Sequence, residues 1–326
     1  MKYLPSTPTS RSARKWALVA GAAGATFAGV ASWVAHKSRK AEANSPPRGK
    51  VLTVDGVRVH YLELGAGPPV VLLHGNMLRA EDFVASGLIA ELAKNHRVIA
   101  LDRPGYGYSE RPADRLWTAE TQAAFIKRTL EQLGVNRPKV VGHSWGTLVA
   151  LELALLSEVA VERLVLISGY YFPTARADVV LAAPPAIPLL GGILRYTISA
   201  LAARMTLNKS VKAMFAPRSV PTNFLSVLDR EMLVRPKQIQ ADAQDAVFMI
   251  PGAVRLRNRY REIKAPVVIM AGEDDGVVDV DAHARKLHEE MIGSELRVLP
   301  GAGHMAHYAA PEQVVAAITR TFALPL

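Results

Sequence analysis

The chain has 326 residues, half of them hydrophobic, no cysteine and a formal charge of +10. That length suits one large α/β domain with an insertion; the missing cysteines exclude a disulfide framework, a thiolate zinc site and a cysteine nucleophile. The charge is unevenly placed: residues 1–50 carry +8, residues 172–262 carry +7 and the remainder −5. Anionic lipid headgroups explain this partition better than a nucleic-acid groove, so no nucleic acid is expected as a partner.

In chain order, the first feature is "WALVAGAAGATFAGVASWVA", Trp16 to Ala35, with no charge and with Arg14, Lys15, Lys37, Arg39 and Lys40 at its flanks. Its length spans a bilayer and it has no polar face, which predicts a single-pass N-terminal membrane anchor in contact with lipid. A cleaved signal peptide is the competing reading. Basic residues flank both ends, so orientation is not legible. Gly21, Ala25 and Gly29 recur at small-x-x-x-small spacing, which leaves a homo-oligomer through the anchor open. Residues 1–50 are thus read as anchor and linker, ending in the polar "KAEANSPPRGK", and residues 51–326 as one folded domain.

From Val51 onward, short β-rich runs alternate with amphipathic helices, the pattern of a mostly parallel sheet. Strands are expected at Val51–Val54, Val57–Leu64, Val70–Leu73, Val98–Leu101, Lys139–Val141 and Leu164–Ile167; Asp55-Gly56 predicts a hairpin between the first two. Helices are expected near Ala80–Lys94, Thr118–Leu133 and Ser144–Ser157. The alternation stops at about 171–262, an apolar, proline- and arginine-rich stretch read as an inserted cap. It resumes with "APVVIMAGEDD", a helix near Asp281–Met291, "SELRVLP" and a last helix from Pro311 to about Phe322.

Between a strand and a helix lies "VVGHSWG", a G-x-S-x-G nucleophile elbow in the context it needs. Gly142 and Gly146 remove Cβ atoms that would collide where strand and helix close on Ser144. A serine hydroxyl needs a base and a group to orient it. "MAGEDDGVV" offers Asp275 after a strand, in preference to Asp274 and Asp279. "LPGAGHMAH" offers His304 in a glycine-flanked loop, in preference to His307. His143 is expected to be buried and to point away from the serine. The oxyanion of a tetrahedral intermediate needs N–H donors; the candidates are the main-chain N–H groups of Asn76 and Trp145, with His74 and Gly75 shaping the turn. No metal-ligand cluster or phosphate-cradling loop is legible, so neither metal nor organic cofactor is expected.

Together "HGN", "DRPGYGYSERP" (102–112), "GHSWG", "GEDD" and "GAGH" resemble the α/β-hydrolase superfamily, in its capped, esterase- or lipase-like branch, over about residues 51–326. The resemblance implies an eight-stranded sheet with helices on both faces, a helical cap after the sixth strand, and a Ser144–Asp275–His304 triad. Asp279 stands where proline is common and Ala309 where glutamate is common; neither touches the triad. Asn76 and Trp145 also resemble the halide-holding pair of haloalkane dehalogenases, and Tyr170 and Tyr171 the outline of epoxide hydrolases. Those enzymes attack with aspartate, whereas a serine on an sp3 carbon would leave an ether with no route to turnover. The expectation is therefore a membrane-anchored serine hydrolase acting on a small-molecule acyl substrate, a lipophilic carboxylic ester, through an acyl-enzyme. A non-catalytic receptor on the same fold, a thioesterase, a perhydrolase and a carbon–carbon bond hydrolase stay open.

Overall fold

The computed structural model describes residues 10–156 and 159–319. Its centre is an eight-stranded sheet: β1 (Lys50–Val54), β2 (Val57–Leu64), β3 (Pro69–Leu73), β4 (Arg97–Leu101), β5 (Lys139–His143), β6 (Arg163–Ile167), β7 (Val267–Gly272) and β8 (Glu295–Leu299). Their spatial order is β1-β2-β4-β3-β5-β6-β7-β8. β1 and β2 form the antiparallel hairpin expected at Asp55-Gly56, β2 runs antiparallel to β4, and all other neighbours are parallel. Successive residues of the inner strands alternate between two cores, as a pleat of period two requires. Val71, Leu73, Ile99, Leu101, Val140, Leu164 and Leu166 face one side. Val70, Leu72, Val98, Ala100, Val141, Val165 and Ile167 face the other.

The first side is covered by α4 (Ala119–Gln132), whose Thr118 cap accepts from the Thr121 N–H, and α5 (Gly146–Leu155). The other is covered by α3 (Leu88–Leu92) and α14 (Pro311–Thr319). The single helix expected over Ala80–Lys94 is instead two short ones, α2 (Asp82–Ala85) and α3, separated by Gly87 in the left-handed region at φ 77°. A π-turn over Asp281–Arg285 leads into α12 (Lys286–Glu290), and α13 (Ala306–Ala309) follows β8. The expected helix ends at Ser157 and about Phe322 lie outside the described residues.

Between β6 and β7 the cap consists of α6 (Ala177–Ala182), α7 (Leu190–Leu194), α8 (Ile198–Phe215), α9 (Phe224–Leu228), α10 (Arg230–Leu233) and α11 (Pro236–Leu256). Its own core joins Leu207, Val211, Phe215, Phe224 and Leu233 to Leu78 and Met305 of the α/β part.

The N-terminal helix α1 runs from Ser10 to Asn44, about 52 Å at 1.5 Å per residue, and is long and apolar enough to cross a membrane. The first five residues of the polar stretch read as a linker, 40–44, are therefore helix: Lys40, Ala41 and Glu42 favour it, and Pro46-Pro47 end it. Its C-terminal half is docked on the cap. Val34 is fully buried with Ala200 and Ile239, and Val30 packs beside Tyr196 and Ala203. Glu42 pairs with the buried Arg235 at 2.7 Å, and Ser45 is hydrogen-bonded to Asp229.

Candidate active site

Ser144 occupies the turn between β5 and α5 with φ at +51°, a left-handed conformation that costs a non-glycine residue on the order of 1–3 kcal/mol. The turn holds it there. The Ser144 N–H donates to the Ile167 carbonyl at 2.8 Å, and the Thr147 N–H and hydroxyl donate to the Ser144 carbonyl at 3.0 and 2.6 Å. The flanking glycines are required sterically: a Cβ at Gly142 would lie 2.7 Å from the Gly146 carbonyl oxygen, and one at Gly146 2.3 Å from that of Leu73.

His304 Nε2 lies 2.9 Å from Ser144 Oγ, and its Nδ1 lies 2.8 Å from Asp275 Oδ2. Because the carboxylate accepts, Nδ1 carries the proton and Nε2 is the lone pair that receives the serine hydroxyl's hydrogen. Asp275 is fixed from the other side, its Oδ1 accepting from the N–H groups of Val277 and Val278 at 2.8 and 2.9 Å. Its side chain is buried, whereas Asp274 and Asp279 are exposed, and Asp279 accepts from the Ala282 N–H. The loop carrying His304 is clamped by the cap: the Met305 N–H donates to Met214 O at 3.2 Å, and Arg218 donates to Gly301 O and Ala309 O. Serine, imidazole and carboxylate, distant in the chain, thus converge at the carboxyl ends of the parallel strands.

His143 points away from the serine, as expected. Its Nε2 donates to the His304 carbonyl at 3.1 Å, and burial, followed by the neighbouring His307 and His304, holds its pKa well below the ordinary imidazole range. His307 is also buried, with Nε2 2.9 Å from Asp82 Oδ2. Asp82, His143 and His307 bring one ligand-type atom each within 4.8 Å of one another, a cluster that the sequence did not disclose. His307 Nε2 and the Tyr308 hydroxyl are bonded to Asp82 and His143 Nε2 to the His304 carbonyl, while His143 Nδ1 and His307 Nδ1 are buried with no hydrogen-bond partner among the described residues.

The turn after β3 is shaped as anticipated. His74 Nε2 accepts from the Arg103 N–H at 3.0 Å and its Nδ1 donates to Gly75 O; burial first, then the Arg103 charge, lowers its pKa to about 4, so it is neutral. Among the described residues the N–H groups of Asn76 and Trp145 donate to no protein acceptor, and both residues belong to turns beside Ser144. The Asn76 side chain, in contrast, is occupied: its Oδ1 accepts from Arg103 Nη2 and the Tyr106 hydroxyl, both at 3.0 Å. Tyr170 is likewise engaged within its own turn, accepting from the Thr174 N–H at 2.7 Å.

Beneath these turns lies a buried network from the cap helix α11. Asp245 pairs with Arg103 at 2.6 Å and Arg111 at 2.9 Å, and its carbonyl accepts from the Trp145 indole N–H at 2.8 Å. Asp242 Oδ1 accepts from the Met77 N–H at 2.7 Å, and Gln238 donates to Leu78 O at 3.0 Å. Arg103 stacks between the rings of Tyr106 and Trp145. Arg103 and Tyr106 were legible as part of the "DRPGYGYS" motif, but their partners Asp242 and Asp245 carry no local signal, being about 140 residues further along the chain.

A sequence model described as the alpha/beta hydrolase family matches residues 70–317. Over 133 residues the chain is 37% identical to a 2-hydroxymuconate semialdehyde hydrolase of Pseudomonas sp., covering 40% of this chain and 47% of that protein. Among solved structures it is similar to an esterase from Exiguobacterium antarcticum, with TM-score 0.68 and 23% identity over 82% of this chain and 96% of that one. It is also similar to a membrane phospholipase A described as a bacterial virulence factor, with TM-score 0.62 and 19% identity over 94% and 96% of the two chains. With three-quarters of its length matched and a serine, a histidine and an aspartate in hydrogen-bonded series at the strand ends, the chain belongs to the alpha/beta hydrolase family and is a serine hydrolase.

Proposed function

We propose that this protein is a membrane-anchored serine hydrolase that cleaves a lipophilic carboxylic ester through an acyl-enzyme, with the anchor within residues 1–50, the catalytic domain over 51–326 and its cap at about 171–262. The observation that carries the chemistry is the continuous series Asp275–His304–Ser144, 2.8 and 2.9 Å long, ending on a serine held at positive φ. As Ser144 Oγ attacks the ester carbonyl, His304 Nε2 takes its proton, and Asp275 keeps the ring in the required tautomer and stabilises the imidazolium. The N–H groups of Asn76 and Trp145 receive the developing oxyanion. Collapse breaks the C–O bond, His304 returns the proton to the departing alcohol, and a water activated by the same imidazole then releases the acid. The apolar character of the cap supports a lipophilic acyl or alcohol portion. The length of α1 and the exposure of Trp16, Leu18, Val19 and Phe27 support the anchor.

A fluorophosphonate probe should label Ser144 alone, and turnover of p-nitrophenyl esters of graded acyl length should vanish in Ser144→Ala. Turnover unaffected by that substitution would refute the assignment. The 37% identity to a semialdehyde hydrolase favours a second reading, carbon–carbon bond hydrolysis on the same triad. Turnover of 2-hydroxymuconate semialdehyde in preference to every ester tested would establish it instead.

A further inference from the structure

We propose that the cap face formed by α6, α7 and the first half of α8 is seated in the bilayer leaflet beside the end of α1, so that this surface takes lipid as its partner. The inference rests on the anchor reading above and adds where the cap sits. The cap exposes Leu181, Leu189, Ile193, Ile198, Leu201 and Met205, with Leu189, Met205 and Leu181 at 93, 84 and 81%. Isolated apolar residues on a surface are ordinary, but six within 25 positions, on a segment in which α7 packs on α8, are a concentration that a water-facing cap rarely shows.

Its place relative to α1 identifies what covers it. Trp16, beside Arg14 and Lys15, and Trp33, with Lys37 5.8 Å from its ring and Arg204 at 5.4 Å, have the amphipathic and basic character of residues at the two membrane–water boundaries. The seventeen residue steps of helix from Trp16 to Trp33 rise about 26 Å, close to the ~30 Å hydrocarbon thickness. Val30 lies one turn on the lipid side of Trp33, and with Tyr196 and Ala203 of the cap it packs on the cluster of Val34, Ala200 and Ile239. That part of the cap therefore meets the helix at or just inside the boundary, and the exposed apolar residues flanking it share that depth.

The exposed stripe of α8 carries the same gradient. At spacings of three and four it reads Ile198, Leu201 and Met205, then Lys209 and Lys212, all exposed. An apolar half followed by two lysines about 16 Å from its start fits a helix leaving hydrocarbon and reaching anionic headgroups.

The absence of cysteine makes the test direct, because each introduced thiol is unique. Nitroxides would be placed by Leu189→Cys, Ile193→Cys and Met205→Cys in the full-length chain, reconstituted in phosphatidylcholine–phosphatidylglycerol vesicles. Ala20→Cys on α1 and Ile292→Cys on the α/β part, 96% exposed, serve as lipid and water references. The ratio of oxygen to nickel-chelate accessibility at the three cap positions should shift to the Ala20 value. Cap labels matching Ile292 while Ala20 reads lipid would overturn the proposal and leave the anchor standing. Water-like values at Ala20 as well would overturn both. Cap labels shielded from both reagents, with spin–spin broadening relieved by unlabelled protein, would show a second copy on this face and also overturn it.

Discussion

Replacing Asp242 by asparagine should stabilise the protein, and more at alkaline than at acid pH. Burial is the main reason its carboxyl rises from an ordinary 3.8 to about 7; the Asp245 charge adds to this, and the Met77 N–H, the Tyr106 hydroxyl and Arg103 oppose it. Since the folded value lies above the unfolded one, the native state holds more protons between about pH 4 and 7. Stability from this group is therefore full below about pH 4, declines as pH rises, and levels off above about 7. A difference of about three pH units at 1.36 kcal/mol each sets an upper bound of about 4 kcal/mol. Asparagine keeps the oxygen that accepts the Met77 N–H and stands in for the neutral acid, so the variant escapes the decline. Thermal unfolding of the protein in detergent, followed by circular dichroism at pH 5 and 8.5, should show Tm higher in the variant by roughly 5–10 °C at pH 8.5 and by about a third of that at pH 5. An equal shift at both pH values, or a loss at pH 8.5, would refute the reasoning.

Three other substitutions probe the site. Asp275→Asn should lower kcat by about 10³–10⁴-fold with KM little changed, because an amide no longer enforces the Nδ1–H tautomer of His304; steady-state kinetics on an ester reads this. Gly146→Ala places a Cβ 2.3 Å from Leu73 O and 2.7 Å from His74 O, both main chain, and should cost about 3 kcal/mol or more, visible as loss of a cooperative unfolding transition. Trp145→Phe removes the indole donor to the Asp245 carbonyl and should cost about 1–2 kcal/mol in denaturant unfolding, with kcat falling more than KM rises.

What was legible in the sequence follows from range. The strands, the elbow at Ser144 and the Gly-flanked His304 are local patterns, so periodicity and spacing located them and the motif order pointed to Asp275. The break at Gly87 was missed because the apolar spacing of Leu88, Ile89 and Leu92 continues that of the preceding turn, and only the left-handed glycine interrupts it. The seat of α1 on the cap was hidden for a different reason: Val30 and Val34 are indistinguishable in composition from the exposed apolar residues around them. Asp242 and Asp245 lie in the stretch read only as an inserted cap, and only the tertiary fold sets them against Met77, Arg103 and Arg111. A pair of carboxylates acquires meaning when its cations come from another part of the chain.

The attachment of α11 restricts how substrate and product can be exchanged. One end of its network holds Met77, next to Asn76, and the other holds the indole of Trp145. Swinging this helix outward would uncouple both turns from their supports while exposing the Asp245–Arg103 pair to water. An outward swing of α11 is therefore costly, and its bonds to both turns favour a helix that stays seated while substrate and product are exchanged.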